Sequence, residues 1–342
     1  MSREVVRSLA SRFGEEAVAT QLVALERHGD VVDEPQLWLR LALEGEFKFR
    51  PLEEPRLCPC GSDRSTLLGR FVYWNLLGLR RCEACGLIRV SPRLTPRAME
   101  DVFNEEYVRR DPPAFWGARR IPIFGSIVRT LRRAGARKVF DVGAAYGHFA
   151  RFASQRGFVV EGCDIASEMV EWGRERWGVS LSVGRLGELE IPDRSYDAVV
   201  GLDTLYYVPD PRSELREMAR ILRPGGTLLL RLRTNRRLER RIHPDPDGLL
   251  RPNPLPQPHI WAFTPRTASR LAEGAGLEVI RSEPAPQSRG ALFPFLEVIR
   301  RTNQLLRRLV PSSPIVTPSF HLIAKRPMEP RYRAGEGRSR SE

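Results

Sequence analysis

Two acids and two glycines carry the clearest chemical signal in this chain. Asp141-Val142-Gly143-Ala144-Ala145-Tyr146-Gly147 ends one apolar run, and Asp164 ends the next, Val159-Val160-Glu161-Gly162-Cys163-Asp164. A glycine directly after a buried strand lets the backbone turn sharply, and a second lets the chain approach a ligand before a helix begins. An acid at the tip of the neighbouring strand, about 20 residues on, can accept hydrogen bonds from both hydroxyls of a ribose. The plainer role for Asp164 is to cap a helix starting at Ala166-Ser167.

Four cysteines form a second group. Cys58-Pro59-Cys60-Gly61 and Cys82-Glu83-Ala84-Cys85-Gly86 each present two thiolates on a tight turn followed by glycine. Four thiolates around tetrahedral Zn²⁺ make a closed, structural site with no open position, so a catalytic role for the metal is not expected. The second pair has the usual C-x-x-C spacing and the first is one residue shorter; a reduced, metal-free loop is the alternative. Cys163 reads as a small buried apolar residue.

The elements that must position these residues follow from periodicity. Residues 1–50 read as a helical N-terminal segment, with Val6, Leu9, Ala10, Phe13 and Ala17 at helical spacing and Asp33 before Pro35 as a second start. Residues 51–94 hold the cysteines as a zinc-binding module, with the apolar run Phe71–Trp74 between the pairs, and 95–135 form a helical connector. From 136 to 326 short apolar runs alternate with amphipathic helices. Candidate strands begin at Val139, Phe158, Leu181, Ala198, Leu228, Leu277 and Phe320, and helices are expected near 147–156, 167–176 and 213–222. Such alternation predicts parallel pairing with right-handed crossovers. A dinucleotide-binding reading of this pattern would need GxGxxG, which Gly143–Gly147 does not supply. Residues 291–310 read as an amphipathic insertion, with Phe295, Leu296, Ile299, Leu305, Leu306 and Leu309 set against Arg300, Arg301, Arg307 and Arg308. A lid, a dimer face or peripheral membrane contact would each use it. Residues 327–342 read as a disordered basic tail.

The formal charge is +13, and all but three of the 55 basic residues (Lys48, Lys138 and Lys325) are arginines. They are spread along the chain, with a local excess between Arg231 and Arg241, so a nucleic-acid partner is the lesser reading and an acidic or phosphorylated small molecule is at least as well supported. No run approaches the ~18 apolar residues of a membrane span, and the first residues lack the apolar core of a secretory signal. A cytoplasmic location is expected.

The stretch 139–230 resembles the class I S-adenosylmethionine-dependent methyltransferases, particularly their small-molecule branch. The similarity is carried by the glycine loop, Asp164, Ile191-Pro192-Asp193-Arg194-Ser195-Tyr196-Asp197-Ala198-Val199-Val200, and Leu222-Arg223-Pro224-Gly225-Gly226-Thr227. Two later segments extend it: His259-Ile260-Trp261-Ala262-Phe263-Thr264 and Leu271–Val279. The module around Arg81-Cys82-Glu83-Ala84-Cys85-Gly86-Leu87 is similar to the zinc-binding N-terminal module fused to some of these enzymes, including ones acting on nucleotide sugars and natural products.

The resemblance implies a doubly wound, Rossmann-like, seven-stranded α/β sheet preceded by a small zinc-ribbon-like module. It implies that Asp141, Gly143, Ala145 and Gly147 hold the methionine end of the cofactor, that Asp164 binds its ribose with Ile165 beside the adenine, and that Asp203 lies by the methionine moiety. Ala145 replaces the usual middle glycine, Arg185 stands where an acid often faces the adenine amine (Glu188 is a nearby substitute), and Tyr207 replaces a common histidine. Candidates for acceptor chemistry are Tyr207 and His259, with Tyr206 at the same rim, while His148 on the first turn of the helix reads as structural or near the cofactor's carboxylate. The function implied is methyl transfer to a small-molecule acceptor, a sugar or secondary metabolite. The alternatives are an RNA or protein methyltransferase or a non-catalytic protein of the same fold. Neither the acceptor atom nor the oligomeric state follows from these residues.

Overall fold

The computed structural model describes residues 51–55, 57–73, 75–107, 113–235, 238, 259–288, 293–310, 315 and 317–328. The expected helical segment at 1–50, the prolines of 252–258 and the tail beyond 328 lie outside these residues.

The apolar runs from residue 136 onward become one sheet. Its strands are β6 (Lys138–Val142), β7 (Val159–Asp164), β8 (Ser180–Val183), β9 (Tyr196–Leu202), β10 (Leu222–Arg233), β12 (Glu278–Pro284) and β13 (Ser319–Lys325), in the order β12-β13-β10-β9-β6-β7-β8. Five strands pair in parallel, whereas β13 runs antiparallel between β10 and β12. The result is the expected doubly wound, Rossmann-like sheet of seven strands, mixed in direction because β13 is reversed.

Strand alternation assigns the two faces. Val139, Val160, Ala198, Val200 and Leu229 pack on one side with Ile127 and Leu131 of α2 (Pro113–Arg133) and Phe149 and Ala153 of α3 (His148–Ser154). Phe140, Val142, Val199, Leu228 and Leu230 pack on the other with Met169 of α4 (Ser167–Trp177) and Leu215 and Met218 of α5 (Pro211–Ile221). Burial on both faces explains why these strands read as continuous apolar runs. Asp210 caps α5 by accepting from the N–H groups of Arg212 and Ser213, with Pro211 in the first turn.

The first cysteine pair precedes, and the second sits at the β3–β4 turn of, a meander of β2 (Ser65–Tyr73), β3 (Asn75–Cys82) and β4 (Ile88–Ser91), while β1 (Leu52–Glu53) pairs with β5 (Arg93–Leu94). The edge of the meander is completed from far along the chain. β11 (Trp261–Ala262) pairs antiparallel with β4, Trp261 opposite Arg89. A helix, α1 (Pro96–Val102), and a short wide helical turn (Phe103–Tyr107) lead toward the large sheet. After β11, α6 (Pro265–Glu273) begins with Thr264 and Thr267 capping one another.

The expected amphipathic segment forms α7 (Phe293–Leu309). Asn303 is buried and Arg300 largely covered through its pair with Glu297, whereas Phe295, Val298, Leu305, Leu306 and Leu309 are exposed. Among the described residues no helix is long and apolar enough to cross a membrane.

Candidate functional site

A cavity of about 530 Å³ opens beyond the carboxyl ends of β6, β7, β9 and β10, where open α/β sheets receive ligands. The turn after β6 forms its floor. Gly143 has φ +73°, and a Cβ there would run into the Thr204 side chain, whose hydroxyl donates to the Val142 carbonyl at 3.1 Å. Only glycine fits both constraints. Gly147, also at φ +73°, caps α3 and does not line the cavity. Ala145 does line it and holds φ +48°, in the region that costs a side-chain-bearing residue about 1–2 kcal/mol.

Asp141 is buried, and burial pushes its carboxyl up to about 8, with Asp164 adding to the rise and Arg120 opposing it. Its Oδ1 has no hydrogen-bond partner among the described residues. A buried carboxyl oxygen so placed in a cavity wall suits a cationic or donor group on a ligand. Asp164 accepts from the Ala145 N–H at 2.8 Å and from the Ala166 N–H at 2.9 Å. These bonds tether the turn before α4, whose N-cap is Ala166 without a side-chain capping bond, so Asp164 is not the helix cap of the plainer reading. Each oxygen keeps a further lone pair for a ligand hydroxyl. Ile165 lines the cavity beside it.

The far wall is built from charges. Asp203, at the end of β9, is held by Arg231 of β10 and by Arg120 of α2, the latter at 3.1 Å. Its carboxyl stays low because the two guanidiniums outweigh burial. Asp203 is thus engaged by protein cations. Arg120 and Arg231 went unread in the sequence, although an arginine inside Leu228-Leu229-Leu230-Arg231-Leu232 is a signal, since a charge in a buried run must find a partner.

Tyr206, Tyr207 and His259 meet at one corner of the cavity. His259 stacks on Tyr206 with centroids 3.9 Å apart and lies edge-on to Tyr207 at 5.0 Å. Burial, reinforced by the Arg233 charge, pushes the His259 imidazole down to about 3, so it is neutral, and its Nδ1 has no partner among the described residues. His148 packs against Trp177 at the start of α3 and also reaches the cavity.

Two departures in the sequence find physical accounts. Arg185 pairs with Glu100 of α1 at 2.6 Å, tying the turn after β8 to the segment that follows the cysteine sheet. Glu188 accepts from the Arg185 backbone N–H and does not line the cavity. The carboxyl present at that end is Glu214 of α5, pushed up to about 7 by burial.

The four cysteines converge. Their Sγ atoms all lie within 4.8 Å of one another, with Cys58–Cys85 and Cys60–Cys82 both at 3.6 Å. That separation far exceeds the ~2.05 Å of a disulfide and matches the roughly 3.8 Å edge of a tetrahedron with Zn–S bonds of about 2.3 Å. The Cys85 thiol is held down at about 5, chiefly by the hydrogen bond from Cys58. The shorter Cys58–Cys60 spacing is accommodated by Gly61 at φ +94°, whose N–H reaches the Cys58 carbonyl at 2.8 Å. The donor set fits a zinc ion. Cys163 is buried away from this cluster.

Sheet order, glycine turn and paired acids define a class I S-adenosylmethionine-dependent methyltransferase fold. Residues 115–282 match a family model described as a methyltransferase domain. Over 128 residues it is 30% identical to Methyltransferase GfsG of Streptomyces halstedii, covering 35% of this chain and 45% of that protein. Over 106 residues it is 36% identical to 27-O-demethylrifamycin SV methyltransferase of Amycolatopsis mediterranei, covering 29% and 39%. A solved S-adenosylmethionine-dependent methyltransferase from Aquifex aeolicus is 17% identical, covering 68% of this chain and 100% of that one, at a TM-score of 0.41. The chain spans less than half the length of either curated relative.

Proposed function

We propose that the chain is an enzyme that transfers the methyl group of S-adenosylmethionine to a small-molecule acceptor such as a sugar or secondary metabolite. The observation that carries this reading is the cavity floor, where the Gly143 turn, the unpartnered Asp141 oxygen and the tethered Asp164 carboxylate sit together beyond adjacent parallel strands. When bound, the cofactor supplies a methyl already activated by its sulfonium. The protein has mainly to align acceptor and donor and to exclude water.

Asp164 would take the ribose hydroxyls, Ile165 and Glu214 the purine end, and Asp141 the amino group of the methionine moiety. Asp203 orders Arg120 and Arg231 around the methionine and acceptor ends. Tyr207 and the neutral His259 would form the acceptor's wall, and His259 Nδ1 is able to accept a proton or hydrogen bond from an acceptor hydroxyl. A recess of this size suits a small acceptor, and curated relatives named for rifamycin and menaquinone precursors favour the same class. The cysteine cluster would hold a structural Zn²⁺.

Calorimetry with S-adenosylmethionine tests the reading. The wild-type chain should bind, and Asp164→Ala should weaken binding at least ~10-fold, or about 1.4 kcal/mol. No binding by the wild type would leave neither the enzyme nor its cofactor roles standing.

A further inference from the structure

We infer that the acceptor is an oxyanion-bearing small molecule whose carboxylate or phosphate is received by Arg233 and Arg231 at the carboxyl end of β10. The inference rests on the methyltransferase reading and names the chemical class of that site's acceptor.

Position is the first argument. In the order β10-β9-β6-β7, strand β10 stands three strands from Asp164, or roughly 14 Å at about 4.8 Å per strand. The β10 end of the cavity is therefore separate from the nucleoside end. Arg231 and Arg233 are two residues apart on one strand, so they share a face, and both line the cavity.

Charge is the second. Arg231 and Arg120 both contact the Asp203 carboxylate. Among the described residues no acidic side chain pairs with Arg233, so its positive charge is left unbalanced beside them. Arg231 is buried; its guanidinium also donates to the Pro286 carbonyl at 3.3 Å, yet its Nε has no partner. A buried guanidinium N–H left unsatisfied beside an unbalanced positive charge is costly unless a ligand completes it. The planar guanidinium fork matches carboxylate and phosphate geometry. A chain-wide arginine bias accounts for exposed arginines and not for one inside a core strand.

The test titrates the whole chain by calorimetry with sodium phosphate and with sodium acetate, in the absence and presence of saturating S-adenosylhomocysteine. That product brings its own carboxylate, so an anion bound in its presence occupies a second place. At least one anion should bind with it present, and Arg233→Gln, an exposed position, should weaken that binding at least ~10-fold while S-adenosylhomocysteine affinity stays within about two-fold. Tighter phosphate indicates a phosphorylated acceptor, and tighter acetate a carboxylic one. Binding of neither anion, or equal binding by Arg233→Gln, overturns the inference. Failure of S-adenosylhomocysteine to bind instead overturns the methyltransferase reading, and the anion titration without it still decides the arginine site.

Discussion

The backbone N–H of Ile260 closes on the carbonyl of Tyr206 at 2.8 Å, and one residue earlier His259 lies stacked on the Tyr206 ring. The segment that walls the Tyr206 corner of the cavity is therefore the same one that completes the cysteine sheet. Trp261 continues it, its indole N–H donating to the Val208 carbonyl at 2.7 Å and its ring almost fully buried.

Trp261→Ala should accordingly destabilise the chain by about 3–5 kcal/mol, the usual range for removing a buried tryptophan. Urea unfolding measures it. Affinity for S-adenosylhomocysteine, whose proposed site lies at β6 and β7, should change by less than about two-fold under native conditions; a ten-fold loss would mean that the wall also shapes the cofactor end.

His259 is held neutral down to about pH 3, so methyl transfer should show no inflection from this ring between about pH 5 and 8. The pH profile of kcat/KM, compared with that of His259→Gln, checks this. An inflection near pH 6.5 present only in the wild type contradicts it.

Asp141 has its carboxyl raised from 3.8 to about 8 by burial, so the folded chain holds a proton there that the unfolded chain has lost. Stability from this group should be full below about pH 4 and should fall as pH rises toward 8. Asp141→Asn should flatten that slope in urea titrations. Where the methionine amino group pairs with Asp141, cofactor binding at pH 7 should release protons, seen as a dependence of calorimetric heat on buffer ionisation enthalpy that Asp141→Asn removes.

Gly143→Ala and Ala145→Gly should act in opposite directions. The first forces a Cβ into Thr204 at positive φ and should cost about 1–3 kcal/mol together with cofactor binding. The second relieves a left-handed alanine, offset by a more flexible unfolded chain, and should leave stability unchanged or raised by up to ~1 kcal/mol. Thermal melts with and without S-adenosylhomocysteine measure both.

Purified protein should carry about one zinc per chain by elemental analysis. Cys82→Ser, which replaces a buried ligand, should abolish that stoichiometry and lower the melting temperature. Zinc-free wild type with an unchanged melt would count against the closed thiolate site.

Where a single strand or turn decides the outcome, the residues were readable. Val139–Val142, Ala198–Val200 and Leu228–Leu230 are buried on both faces, so their continuous apolar character marks them directly. Gly143 and Asp164 follow from the need to turn and to grip at a strand end. The cysteine spacing was enough to bring four sulfurs together. What escaped depends on partners distant in sequence. Arg185 looks out of place until Glu100 is beside it, and Arg120 reaches Asp203 from a helix 83 residues earlier. In α7 the stripe does not say what covers it: Asn303 is buried and Arg300 is covered beside Glu297 and Gln304 of its own helix, whereas Phe295 and Leu309 stay exposed. Helical periodicity identifies a stripe and not the surface that receives it.

The short pairing of β11 with β4 makes the two sheets topologically interlocked. The chain leaves the cysteine sheet at Ser91, lays down five strands of the large one and then returns before finishing it. No single cut separates the two without breaking a hydrogen-bonded edge, so a transplant of the cysteine region onto another catalytic scaffold needs two junctions and must bring the Trp261 strand along.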